Sequence, residues 1–177
     1  MNRTKAYCSL GFLAVSLFLL LGHPLPGERS AASNPAQEGA LVVTVPGNLP
    51  WTDTGMDVIA GQEIVFKADG KISLQKGNPQ AECGPDGYDL RTVQQPLPEK
   101  NLGALIGKVV ISVSVFVDEK TGEEKREEVA QVFFVGSENL VEMPAKGRLF
   151  LGINESVSGD NAGEFKVTIT AATKEDR

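Results

Sequence analysis

Along residues 41–171 apolar side chains recur at every second position in short runs, the period of strands that keep one face on a core. Residues 41–45 are mostly β-branched and stop at Pro46, Gly47, Asn48 and Pro50. Val58 and Ile59 lead into a turn at Ala60 and Gly61. In residues 63–68, Ile64, Phe66 and Ala68 then alternate with Val65 and Lys67. Asp69 and Gly70 form a strong turn signal, after which residues 71–74 alternate again. Residues 108–117 predict a strand with Val109, Ile111, Val113, Val115 and Val117 on a core face. Val110 and Phe116 fall on a half-buried face, with Ser112 and Ser114 between them. The mixed charges of residues 118–128 predict a solvated hairpin tip, and residues 129–135 the returning strand. Further short strands are predicted at 140–143, 148–153 and 164–171; in the last, Phe165, Val167 and Ile169 point inward. Residues 75–106 break the pattern. Gly77-Asn78-Pro79, Gly84-Pro85-Asp86-Gly87, Pro96 and Pro98 leave no helical period. They predict a long ordered excursion of the kind used for binding, re-entering the core near residues 102–106. Eight or nine short strands without a helix make the chain all-β. Two sheets packed face to face, a β-sandwich over residues 41–171, bury their alternating faces.

The segment ahead of the strands differs. Arg3 and Lys5 precede a run, residues 12–21, that is apolar except for Ser16; Ser30, Ala31, Ala32 and Ser33 follow. This is the pattern of a signal peptide over residues 1–32, cut after Ala31 or Ala32. The apolar run is short for a membrane span of ~20 residues, so no stable insertion is expected after cleavage. Residues 33–40 read as a flexible leader and residues 172–177 as a frayed tail. The expected location is outside the cytoplasm, periplasmic or extracellular.

Charge narrows the chemistry. The 177 residues carry a formal net charge of −6; without Arg3, Lys5, Arg29 and Glu28 the remainder has 14 basic and 22 acidic residues, a net charge of −8. That is no footprint for nucleic acid or for an anionic membrane surface. His23, the single histidine, leaves with the leader, so none remains as a base or metal ligand. Cys83 then stands alone, cannot form an internal disulfide, and reads as a small buried hydrophobe. There is no nucleotide-binding glycine loop, no Gly-x-Ser-x-Gly and no metalloprotease motif. No carboxylate pair stands out for glycoside hydrolysis. The chain is read as a binding protein rather than an enzyme.

Residues 152–163 hold the sharpest candidate. Asn154, Glu155, Asp160 and Asn161 place four oxygen-bearing side chains between two predicted strands. Calcium takes six to eight oxygen ligands and accepts backbone carbonyls among them, whereas zinc and copper lack their nitrogen and sulfur donors here. The same residue types also build ordinary tight turns. Trp51, the only tryptophan, offers a face for a sugar ring, or else plugs the edge of a core. Tyr88 and Arg91, beside the turn at residues 84–87, and Gln94 further on, are candidates for a polar pocket with an apolar wall.

In order, residues 48–58, the Gly84-Pro85-x-Gly87 turn, residues 102–108, residues 147–154 and the Asp160-Asn-Ala-Gly-x-Phe165 piece resemble the bacterial galactophilic lectin family (LecA or PA-I-like). The chain looks like a diverged exported relative. The resemblance implies a jelly-roll-like β-sandwich of galactose-binding type, with one calcium ion whose coordination two hydroxyls of a terminal galactose complete. By that likeness Asp160 and Asn161 match adjacent side-chain ligands. Glu155 matches an aspartate that touches both ion and sugar. A carbonyl near Val157 and another near Leu74 or Gln75 match backbone ligands. Three departures stand out: the metal loop is two residues shorter, Glu155 replaces aspartate and Asp160 replaces asparagine. The family's sugar-holding histidine is also missing after Gly87. These leave open a second expectation, a structural or protein-interaction domain that keeps the scaffold without the sugar. The charged hairpin at residues 118–128 is an addition that bears on self-association, so a homo-oligomer is a further expectation.

Overall fold

The computed structural model describes residues 39–173 and Asp176. The expected signal peptide over residues 1–32, most of the expected leader and tail residues 174, 175 and 177 lie outside the described residues. Among the described residues nine strands follow in order: β1 (Leu41–Pro46), β2 (Trp51–Val58), β3 (Glu63–Ser73), β4 (Glu82–Cys83), β5 (Leu105–Val117), β6 (Glu124–Phe134), β7 (Glu138–Glu142), β8 (Gly147–Ile153) and β9 (Ala162–Ala171). One sheet runs β1-β9-β3-β4, with β7 also on β3; the other runs β2-β8-β5-β6, and every pairing is antiparallel. The chain is therefore a two-sheet β-sandwich. Val45, Phe66, Phe165, Val167 and Ile169 from the first sheet meet Leu105, Val109, Leu149, Leu151 and Ile153 from the second in one core. Each fully buried Leu, Ile or Phe side chain contributes roughly 1.5–3 kcal/mol of transfer free energy.

Three expectations need correction. Asp69 and Gly70 do not turn the chain: β3 runs straight through them, paired with β9 from Ile64 to Ser73. Gly70 has φ 114°, and a Cβ there would lie 2.5 Å from the Glu164 carbonyl oxygen. The glycine permits a close approach of two backbones within a sheet rather than a reversal. Residues 51–56, to which the alternation assigns no strand, form the first part of β2.

The third correction concerns residues 108–117. They belong to a strand that begins earlier, at Leu105, and only Val109 of the predicted core face is buried. Ile111, Val113, Val115 and Val117 are all exposed. The register against β6 shifts between Val110 and Ser112, leaving Ile111 as an extra residue. Such a bulge reverses the parity of everything beyond it. Residues paired across a ladder share a face. Lys108 and Val110 therefore continue into Val113, Val115 and Val117 on the outer side, opposite Val132, Ala130, Glu128, Arg126 and Glu124. The strand β8 accompanies β5 only from Leu105 to Val110, so the rest of β5 and β6 projects as a two-stranded arm. The charged run is thus more than a tip: residues 118–123 turn, and Glu124 already belongs to β6.

Candidate functional site

The candidate loop joins β8 to β9, and its two asparagines behave differently. Asn154 is fully buried. Its Oδ1 accepts from the Leu97 amide at 2.8 Å, and its Nδ2 donates to the carbonyls of Leu97 and Asn101, each at 3.0 Å. Its backbone exchanges hydrogen bonds with Gly103 and Ala104. The side chain anchors the irregular segment 97–104 to the end of β8, and its carboxamide is committed there. The reading of Asn154 as a metal ligand is revised on that ground: its oxygen is already an acceptor inside the fold.

Asn161 is also buried, but only half of its carboxamide is used. Nδ2 donates to the Gly47 carbonyl at 3.2 Å and to Glu155 Oε2 at 2.5 Å. Two acceptors on one side fix which end is the amide nitrogen. Oδ1 is buried and has no hydrogen-bond partner among the described residues. A buried acceptor left so costs about 1–3 kcal/mol, and a buried polar atom of this kind calls for a missing partner.

Glu155 is half-buried. Burial pushes its carboxyl above the ordinary glutamate range, the hydrogen bond from Asn161 opposes this, and the charge of Asp160 adds to the rise. The Cys83 thiol is pushed up to about 11, first by burial and then by the charge of Glu155. Cys83 is a free, buried thiol, consistent with its reading as a small hydrophobe. Asp160 is exposed, and its carbonyl accepts from the Lys76 amide at 2.8 Å, which brings the segment after β3 against the loop. That is the neighbourhood where a carbonyl near Gln75 was expected. Among the described residues no three or more His, Cys, Asp or Glu side chains converge as a metal cluster. An ion here would draw on two carboxylates, an amide and backbone carbonyls. Such an all-oxygen set suits a hard cation, and the unpartnered Asn161 Oδ1 fits it.

Beside the loop lies a recess of about 140 Å3 lined by Thr92, Gln94, Gln95, Leu102, Glu155, Ser156 and Val157. Ser156 Oγ donates to the Gln94 carbonyl, and Gln95 is buried with its amide given to the Leu97 and Lys100 carbonyls. A larger recess of about 270 Å3 sits between β3 and the turn at 79–81, but it contains none of the candidate side chains. The fold thus brings Glu155, Val157 and Gln94 together. Asp160 and Asn161 join them through the loop.

The other candidates lie elsewhere. Trp51 sits on the outer face of the second sheet, paired with Gly152, where a Cβ would come within 2.6 Å of the indole. Lys108 Nζ lies 4.6 Å from the Trp51 ring centroid and 5.2 Å from that of Phe150. It also pairs with Glu128 at 2.6 Å. The indole face is therefore occupied by a cation, which revises its reading as a sugar platform. Tyr88 is bridged to Leu102 but does not line the recess, and Arg91 is exposed just before its rim. Thr92, Ser156 and Leu102 were not singled out by sequence. Only the Pro-flanked polar run at 92–98 hinted at the first.

No protein-family model matches the chain, and no curated protein matches its sequence. A solved structure described as the EclA N-terminal domain, a PllA-like lectin, matches with a TM-score of 0.52 and 21% identity, covering 75% of this chain and 96% of that one. The chain shares the fold of that lectin domain. Among the described residues no helix is long and apolar enough to cross a membrane.

Proposed function

We propose that this lectin-like sandwich is an exported carbohydrate-binding module whose β8–β9 loop holds calcium. The observation that carries the reading is the buried, unpartnered Oδ1 of Asn161 next to the half-buried carboxylate of Glu155, at the rim of a recess shared with Gln94. The residues that would hold the ion are Glu155, Asp160 and Asn161, with carbonyls near Val157 and Gln75. Bound calcium would supply a positive centre to which two neighbouring sugar hydroxyls add as ligands. Glu155 would accept from one of those hydroxyls, Gln94 would offer its amide from across the recess, and Val157 and Leu102 would supply apolar wall. A terminal galactose is the sugar the sequence resemblance points to. Retention of the scaffold without sugar binding is the competing outcome.

Titration calorimetry with calcium, then with a galactoside in calcium, tests this. The expected result is heat in both steps, a melting temperature that rises with calcium, and loss of both in Asn161→Ala. A folded protein that gives no heat with calcium overturns the metal site. Heat with calcium but blank arrays of galactosides and other glycans overturns the carbohydrate reading.

A further inference from the structure

The β5–β6 arm stands apart from the site, and two of its features do not match a strand pair meant to remain alone. A lone two-stranded ribbon is marginal in water unless something covers a face or adds a strand. Here Ile111, Val113, Val115, Phe116, Val117 and Val129 are between 39% and 62% exposed. The two edges also differ. The β6 edge carries Glu124, Lys125, Arg126, Glu127 and Glu128 in succession, the charged composition that discourages further pairing. The β5 edge from Ile111 to Val117 contains no charge, no proline and mostly β-branched residues. Among the described residues no strand pairs with it there, because β8 leaves β5 at Val110.

We propose that this β5 edge pairs antiparallel with the β5 edge of a second copy of the chain, each filling the place β8 vacates. The sequence is self-complementary about Ser114. A two-fold axis there sets Ser114 against Ser114, Val113 against Val115 of the second copy, Ser112 against Phe116, and Ile111 against Val117. The arm's two faces then match across the new ladder. Valines meet valines on the outer face, and each Phe116 ring falls beside the small Ser112 and Ser114 on the other. No charge is buried, and the charged β6 strands become both edges of a closed four-stranded ribbon. Such an interface is isologous, as in most two-fold dimers. A partner of other chemistry would have to supply its own uncharged, alternating strand; this chain already carries one.

Sedimentation velocity of the full chain over a concentration series tests the pairing, alongside charge variants. Because Val113 faces Val115 of the second copy, Val113→Lys with Val115→Lys sets like charges opposite each other twice. Val113→Lys with Val115→Glu instead sets opposite charges together at the same positions. The wild type is expected to shift from monomer to dimer with concentration. The double-lysine variant should stay monomeric where the wild type is dimeric, and the lysine–glutamate variant should dimerise again. At concentrations low enough that all three are monomeric they should share the same melting transition, since both valines are exposed in the single chain. A wild type that stays monomeric throughout overturns the proposal. So does a double-lysine variant that still dimerises, or a lysine–glutamate variant that fails to recover.

Discussion

The segment from residue 84 to 104 and the β5–β6 arm depart from the two-sheet sandwich in opposite ways. The first has almost no regular structure, yet several of its polar groups are paired with one another and with the sandwich. Asp86 Oδ1 accepts from the Ser137 amide, Asn101 donates to the Asp86 carbonyl, and Asn154 clamps residues 97 and 101 from below. The second is a regular ladder whose hydrogen bonds are complete across one edge, yet its side chains face water on both sides. Irregular backbone is rigid where its donors and acceptors are met. Regular backbone is not stable by regularity alone, because burial supplies most of the driving force.

Asn154→Ala should strike this contrast hardest. It strands the Leu97 amide, takes one donor from each of the Leu97 and Asn101 carbonyls and removes a fully buried side chain, so a loss of about 3 kcal/mol is expected from urea unfolding. Hydrogen exchange should accelerate across 97–104 before it does in the arm. Should the arm open first, the clamp is not what orders the segment.

Lys108→Ala acts at the other region. Lys108 lies between two aromatic rings at the base of the arm and binds Glu128. Its removal should cost about 1–2 kcal/mol, with faster exchange in residues 111–129 and little change around Asn154. Equal acceleration in both regions would show that they are one cooperative unit.

Glu155→Gln should have the smallest effect on stability and is read through pH. The carboxyl holds its proton more tightly in the folded chain, so its contribution is favourable in acid and is lost as pH rises through its raised pKa. In metal-free buffer the glutamine variant should therefore melt above the wild type near neutral pH, and the gap should close as the solution is acidified. Calcium should reverse the order, because only the wild type keeps the carboxylate ligand. A variant indistinguishable from wild type at every pH would remove the electrostatic strain from the account of the site.

Alternation alone made the two-sheet core legible: Ile64, Phe66, Phe165, Val167, Ile169, Leu149, Leu151 and Ile153 are where the period of two places them. Composition and spacing also marked Glu155, Asp160 and Asn161 as a group of oxygen donors on one loop. The roles within that group were decided in three dimensions. Asn154 and Asn161 are the same residue type at either end of one loop, and only contacts with chain 57 and 114 positions away make one an internal clamp and leave the other with a free oxygen. The outward turn of Val113, Val115 and Val117 was likewise hidden, since one bulged residue inverts a strand's faces without changing its alternation. Local sequence determines which side chains take turns along a strand. Which face meets the core, and which polar atom is left unpaired, depends on register and on partners that distant chain supplies.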